Sequence, residues 1–212
     1  MTGRAAFVAG LVAVIAFTVW RSQLFTVSRP GERPRPLEVL AESARRPADF
    51  DVVLPAVPVG MNHLRNGQGV LLVHYWAPWE RDGATQAASL DSLRRLEPFA
   101  DLRVVLVCFD PFPSVARFVA RRRLRLAVLL DTERRLRRAL PCPSVPFTYV
   151  IDGAGRIAVA QAGEVDWLAE NTKQRLAELL QGRAGARTRQ GPRRWSHSSS
   201  ARAPHLSSPQ RW

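Results

Sequence analysis

Cysteine is scarce in this 212-residue chain: Cys108 and Cys142 are the only two. Cys108 lies within the apolar run Leu102 to Phe109, where a free cysteine serves as a small hydrophobe. Cys142 sits between Pro141 and Pro143 in a loop, and a strand interior and a loop rarely meet the geometry a disulfide demands. Histidine is nearly as rare. His63 and His74 are separated by a predicted turn and strand, and His197 and His205 fall near the C-terminus, so no spacing forms a metal-ligand cluster. A phosphate loop is also missing, because Gly67-Gln68-Gly69 precedes a strand instead of following one. Nothing in the sequence calls for a cofactor. Lys173 is the only lysine, and the remaining positive charge is arginine.

That charge is unevenly spread. The net value of +13 resolves into +4 over residues 1–36, +2 over 37–180 and +7 over 181–212. The central part is nearly neutral, so basicity belongs to the ends and does not mark the domain as a nucleic-acid binder.

Four segments follow. Ala5 to Trp20 is an uninterrupted apolar run flanked by Arg4 and Arg21, just short of the roughly 20 residues that span a bilayer core. It reads as a transmembrane or signal-anchor helix within residues 1–25. A cleaved signal and a buried soluble helix are the other readings, and no small-x-small cleavage site separates Trp20 from Pro30. Arginine counts on the two flanks slightly favour the opposite orientation to the one adopted below. Residues 26–36 form a Pro/Arg-rich spacer, 37–180 one folded domain, and 181–212 a Gly, Arg, Ser and Pro tail with the composition of disorder. Trp195 and Trp212 with Arg193, Arg194 and Arg211 give that tail a secondary reading as a membrane- or nucleic-acid-attracted segment.

The domain is organised around Val70 to Leu96. Val70 to Trp76 is a near-continuous apolar run, as in a strand covered on both faces; after Ala77-Pro78, Ala84, Ala87, Leu90, Leu93 and Leu96 recur at helical spacing. The spacing predicts further strands at Leu102–Phe109, Leu126–Leu130, Tyr149–Ile151 and Arg156–Ala160. It predicts helices at Leu37–Arg46, from an N-cap at Ser114, over Asp131–Leu140, and over Asp166–Leu180. Val52 to Val59, interrupted by Pro55 and Pro58, reads as an edge strand. His74 is expected in the core with its ring nitrogens satisfied. Strands alternating with helices give an α/β class with a parallel core.

Trp76-Ala77-Pro78-Trp79, on a strand entering a helix, resembles the active-site segment of the thioredoxin-like TlpA family of membrane-anchored thiol:disulfide oxidoreductases, in which Trp-Ala-x-Trp precedes Cys-x-x-Cys. Ser144-Val145-Pro146-Phe147-Thr148 resembles that family's cis-proline segment. The resemblance covers roughly residues 65–180 and implies a three-layer fold, a mixed central sheet flanked by helices, with the domain outside the cytoplasm on a single-pass anchor. It implies an abbreviated N-terminal hairpin and a cis bond before Pro146. Glu80 and Gly83 stand where the family has its two cysteines, so the redox dithiol is missing. A carboxylate at a helix N-terminus is expected to keep a low pKa, which argues against Glu80 as an acid or base.

Three functions remain open. The first is binding of an extended protein or peptide segment in a groove formed by Trp76, Trp79, Glu80, Val145 and Pro146. A redox enzyme acting through Cys142, taken as an exposed thiol, by thiol exchange or peroxide reduction, is the second. The third is a structural relic whose anchor and basic tail carry the function.

Overall fold

The computed structural model describes residues 26–27, 34–80 and 82–189. The run at residues 5–20 and the tail beyond 189 lie outside the described residues, and among those described no helix is long and apolar enough to cross a membrane.

The core is a seven-stranded mixed sheet of order β3-β2-β6-β5-β4-β8-β9. Inside it lies β4 (Leu71–Tyr75), every residue of which is buried. It pairs in parallel with β5 (Arg103–Cys108) and antiparallel with β8 (Phe147–Ile151). β6 (Ala127–Leu130) continues the parallel part, and β9 (Ile157–Ala162) closes one edge against β8. The alternation of side chains along each strand sorts the core into two halves. Leu72, Leu106, Val128 and Val150 face α1 (Gly83–Leu93), α2 (Phe112–Arg122) and the start of α4 (Glu170–Arg189). Leu71, Val73, Tyr75, Val105 and Tyr149 face the other way, toward Phe50, Leu54, Leu64 and Leu136 of the short α3 (Arg135–Ala139). The expected three layers are present.

Several expectations change. The hairpin is complete: β2 (Asp51–Val57) pairs with β3 (Met61–Arg65) over five residue pairs, and its last two residues also pair with β6. Pro55 and Pro58 therefore sit in and just beyond a strand with two neighbours, and β3 is the edge. Leu37 to Arg46 is not a helix; only Glu42–Ala44 makes a 3-10 turn, while Leu37 is buried and Arg175 Nη1 donates to its carbonyl at 2.6 Å. α1 ends at Leu93, which leaves Leu96 exposed. The cap of α2 is Pro111, not Ser114, whose hydroxyl instead donates to the Pro111 carbonyl from inside the first turn. Trp167 and Leu168 precede the last helix, and that helix runs on past Leu180 to Arg189, through the start of the segment read as a disordered tail.

The spacer is also not free throughout. Thr26–Val27 forms a short strand, β1, parallel to β7 (Ser144–Val145), and the Arg35 amide donates to the Glu164 carbonyl at 2.9 Å.

Candidate functional site

The site forms where β4 and β8 end side by side. Tyr75 is opposite Phe147 in the antiparallel ladder, so the next residues outward on the two strands are Trp76 and Pro146. The Val145–Pro146 peptide is cis. Beyond the strand, the Trp76 amide still donates to Val107 of β5, then the chain turns: the Glu80 amide donates to the Ala77 carbonyl and the Gly83 amide to the Glu80 carbonyl, both at 3.2 Å. Trp79 is thrown outward by this turn, 60% exposed, with its indole Nε1 donating to Asp110 Oδ1 at 3.3 Å. Trp76 is 1% exposed and packs against Phe118. It is a core residue and not part of the groove.

Gly83 is fixed by close approach. A Cβ placed there would lie 2.6 Å from the Ala77 carbonyl oxygen and 3.1 Å from Glu80 Oε2. Ordinary Cβ atoms do not come so near to backbone, so this helix start is built around a residue without a side chain. Glu80 itself is buried, and its pKa is raised, first by burial and then by the nearby Asp82, against a lowering by the Asp82 amide. The expected low value is overturned because Glu80 is buried and lies beside Asp82 ahead of the helix start. Glu164, in the loop after β9, is pushed up to about 7 by burial, by a hydrogen bond with Asp82 and by the proximity of Asp82 and Glu80. One carboxylate oxygen from each of the three lies within 4.8 Å of the others. The spacing of residues in the sequence could not reveal this cluster, because Glu164 arrives from another strand.

The cis-proline segment is pinned from inside. The Tyr75 hydroxyl donates to Leu140 O at 3.0 Å, the Tyr149 hydroxyl to Pro141 O at 2.6 Å and Arg137 Nη2 to Cys142 O at 2.9 Å. Cys142 is drawn in with its loop, 3% exposed, and its thiol donates to Ser144 O at 2.9 Å. Burial pushes its pKa up to about 12, with Arg137 opposing. The expected exposed thiol is thus corrected: its neighbours Tyr75, Tyr149 and Phe147 close over the loop. Cys108 is buried in β5 as anticipated, with its pKa raised for the same reason, and both cysteines are free. His74 is buried, and its Nδ1 lies 3.0 Å from Thr148 Oγ1, but among the described residues its Nε2 has no hydrogen-bond partner, where both ring nitrogens were expected to be satisfied. Sequence reading missed Tyr75 and Tyr149 as braces of the loop. Their alternation with the apolar residues of β4 and β8 made them look like ordinary core.

No family model and no curated protein matches the chain. Among solved structures it is similar to a Chlorobium tepidum protein assigned as the thiol:disulfide interchange protein DsbE, at 19% identity over 65% of this chain and 97% of that one, with a TM-score of 0.53. StoA from Bacillus subtilis is similar at 17% identity over 63% and 98% of the two chains, with a TM-score of 0.52. So is the bacterioferritin comigratory protein of Xanthomonas campestris, whose structure concerns alkyl peroxide reduction, at 18% identity over 67% and 96%, TM-score 0.52. The chain has a thioredoxin-like fold. Within that fold it carries Trp76-Ala77-Pro78-Trp79 at the strand-to-helix turn, with Glu80 and Gly83 following and no cysteine at that turn.

Proposed function

We propose that this protein is a membrane-anchored member of the TlpA-like thiol:disulfide oxidoreductase group that has lost its redox dithiol and binds an extended partner segment along β7, beside Trp79. Residues 5–20 supply the anchor and the domain lies outside the cytoplasm. The observation that carries the reading is the pairing of Thr26–Val27 with Ser144–Val145. The edge next to Pro146 accepts an extended backbone, here the chain's own, in parallel register. Backbone hydrogen bonds provide affinity in strand addition and do not depend on a thiol. A partner segment would take the place of residues 26–27.

The redox alternative through Cys142 loses support. A thiol that is buried, hydrogen-bonded and held far above neutral pH supplies almost no thiolate for exchange or for attack on a peroxide. The tail-driven alternative falls mostly on residues 190–212, outside those described.

A labelled peptide spanning residues 22–31, titrated against the full chain in which Thr26 and Val27 are both replaced by proline, tests the reading. Saturable binding that Val145→Asp abolishes and Cys142→Ser leaves intact is expected. Absence of binding, or binding indifferent to Val145→Asp, contradicts it.

A further inference from the structure

Glu80, Asp82 and Glu164 converge where the related folds place thiols, and their arrangement is not that of a solvated acidic surface. They come from two separate segments, the turn before α1 and the loop after β9. That second loop is tied to the cis-proline by the Gly163 amide, which donates to Pro146 O at 2.9 Å. Their carboxylate oxygens lie within 4.8 Å of one another. Among the described residues, none of the three forms an ion pair with an Arg, Lys or His.

A second observation concerns Glu80 alone. It is 8% exposed, and its Oε2 is buried without any hydrogen-bond partner. A buried carboxylate oxygen left unpaired costs free energy that a protein ordinarily avoids by providing a donor or a cation. Among the described residues no donor reaches Oε2, while the Asp82 amide donates to Oε1 at 3.5 Å.

We propose that Glu80, Asp82 and Glu164 form a binding site for a hard divalent cation, with calcium as the best fit. Three oxygen ligands of negative charge suit a hard cation and give no reason to favour a soft one. Distance then selects among hard ions. Two oxygens on one ion stand no further apart than twice the bond length, which is roughly 4.6–5.2 Å for calcium and about 4.2 Å for magnesium. Oxygens within 4.8 Å of one another fit the span calcium accepts, and magnesium, which demands a tighter octahedron and dehydrates reluctantly, is the poorer fit. Water completes the coordination on the open side, since three carboxylates fall short of the six to eight oxygens calcium takes. The bound ion would staple the turn carrying Trp79 and Glu80 to the loop that hydrogen-bonds Pro146. The site stands independently of whether a peptide binds along β7.

The test is calorimetric titration of the purified full chain, stripped with EDTA, using calcium chloride, magnesium chloride and sodium chloride at matched ionic strength. Calcium should bind with a dissociation constant of roughly 10⁻⁴–10⁻³ M, the range of extracellular modules, and magnesium more weakly. Glu164→Gln should weaken calcium binding about tenfold or more, since it removes one charged ligand of three. It should also raise the melting temperature of the ion-free protein by relieving repulsion. Asp82→Asn provides the same comparison if Glu164→Gln does not fold. No calcium heat at about 10 mM, tenfold above that range, overturns the proposal. So does equal affinity in both acid variants, or a sodium chloride response equal to that of calcium.

Discussion

At Gly83 the absence of a side chain decides what chemistry the turn can host. Placing two cysteines at this turn by Glu80→Cys with Gly83→Cys puts a Cβ 2.6 Å from the Ala77 carbonyl, and that carbonyl already accepts the Glu80 amide. The backbone must shift, at the roughly 1–3 kcal/mol that overpacking a tight site costs. Urea denaturation of the double variant should show that loss; a disulfide formed with unchanged stability would contradict the account. His74 offers a second test at this scale. Burial lowers its pKa from 6.5 to about 4, so the folded protein keeps a neutral imidazole where the unfolded chain takes up a proton. Stability from this group is complete above pH 6.5, declines as pH falls toward 4, and changes no further below. The slope in that window is about 1.4 kcal/mol per pH unit, and the total is about 3 kcal/mol. Denaturation midpoints of wild type and His74→Asn from pH 7 to 4 should differ in slope, whatever constant cost the substitution adds. Parallel curves would mean that His74 titrates alike in both states.

Among the elements, α1 is joined to the segment before α4 by one side chain. Gln86 Oε1 accepts from Trp167 Nε1 at 2.7 Å and from the Val165 amide at 3.4 Å, in the buried layer beneath the site. Gln86→Leu fills similar space and strands both donors, at about 1–3 kcal/mol for the buried groups left unpaired. The midpoint of unfolding, followed by tryptophan fluorescence, should drop accordingly; an unchanged midpoint would show that the two donors find other partners. This clamp illustrates which elements sequence could reveal. The β4 strand and α1 were legible because burial writes itself as an apolar run and as a three-residue recurrence. Gln86 was not, because a polar residue on a buried helical face looks misplaced until Trp167 is beside it. The cap of α2 and the end of α1 were misplaced for a local reason. Serine is a strong cap in isolation, but Pro111 already starts that helix, and Leu96 continues a period that the chain itself abandons at Arg94.

On the scale of the whole molecule, the sheet order brings the candidate site together from residues that are far apart in sequence. Trp79, Pro146 and the turn at Glu80 were legible because each lies in a short motif, whereas Trp76, read as part of the groove, is core. The acid cluster, the tyrosine braces and the burial of Cys142 depend on β8 and β9 folding back beside β4, which no local pattern encodes. The same pairing buries both thiols. Cys108 lies inside a central strand, and Cys142 is held by Ser144 under Tyr75 and Tyr149. The most direct measurement is the rate at which the full chain reacts with oxidised glutathione or hydrogen peroxide, followed by intact mass. The account predicts that both cysteines stay unmodified while the protein is folded and react promptly in denaturant. Rapid modification of Cys142 in the folded protein would contradict it and return the chain to redox chemistry.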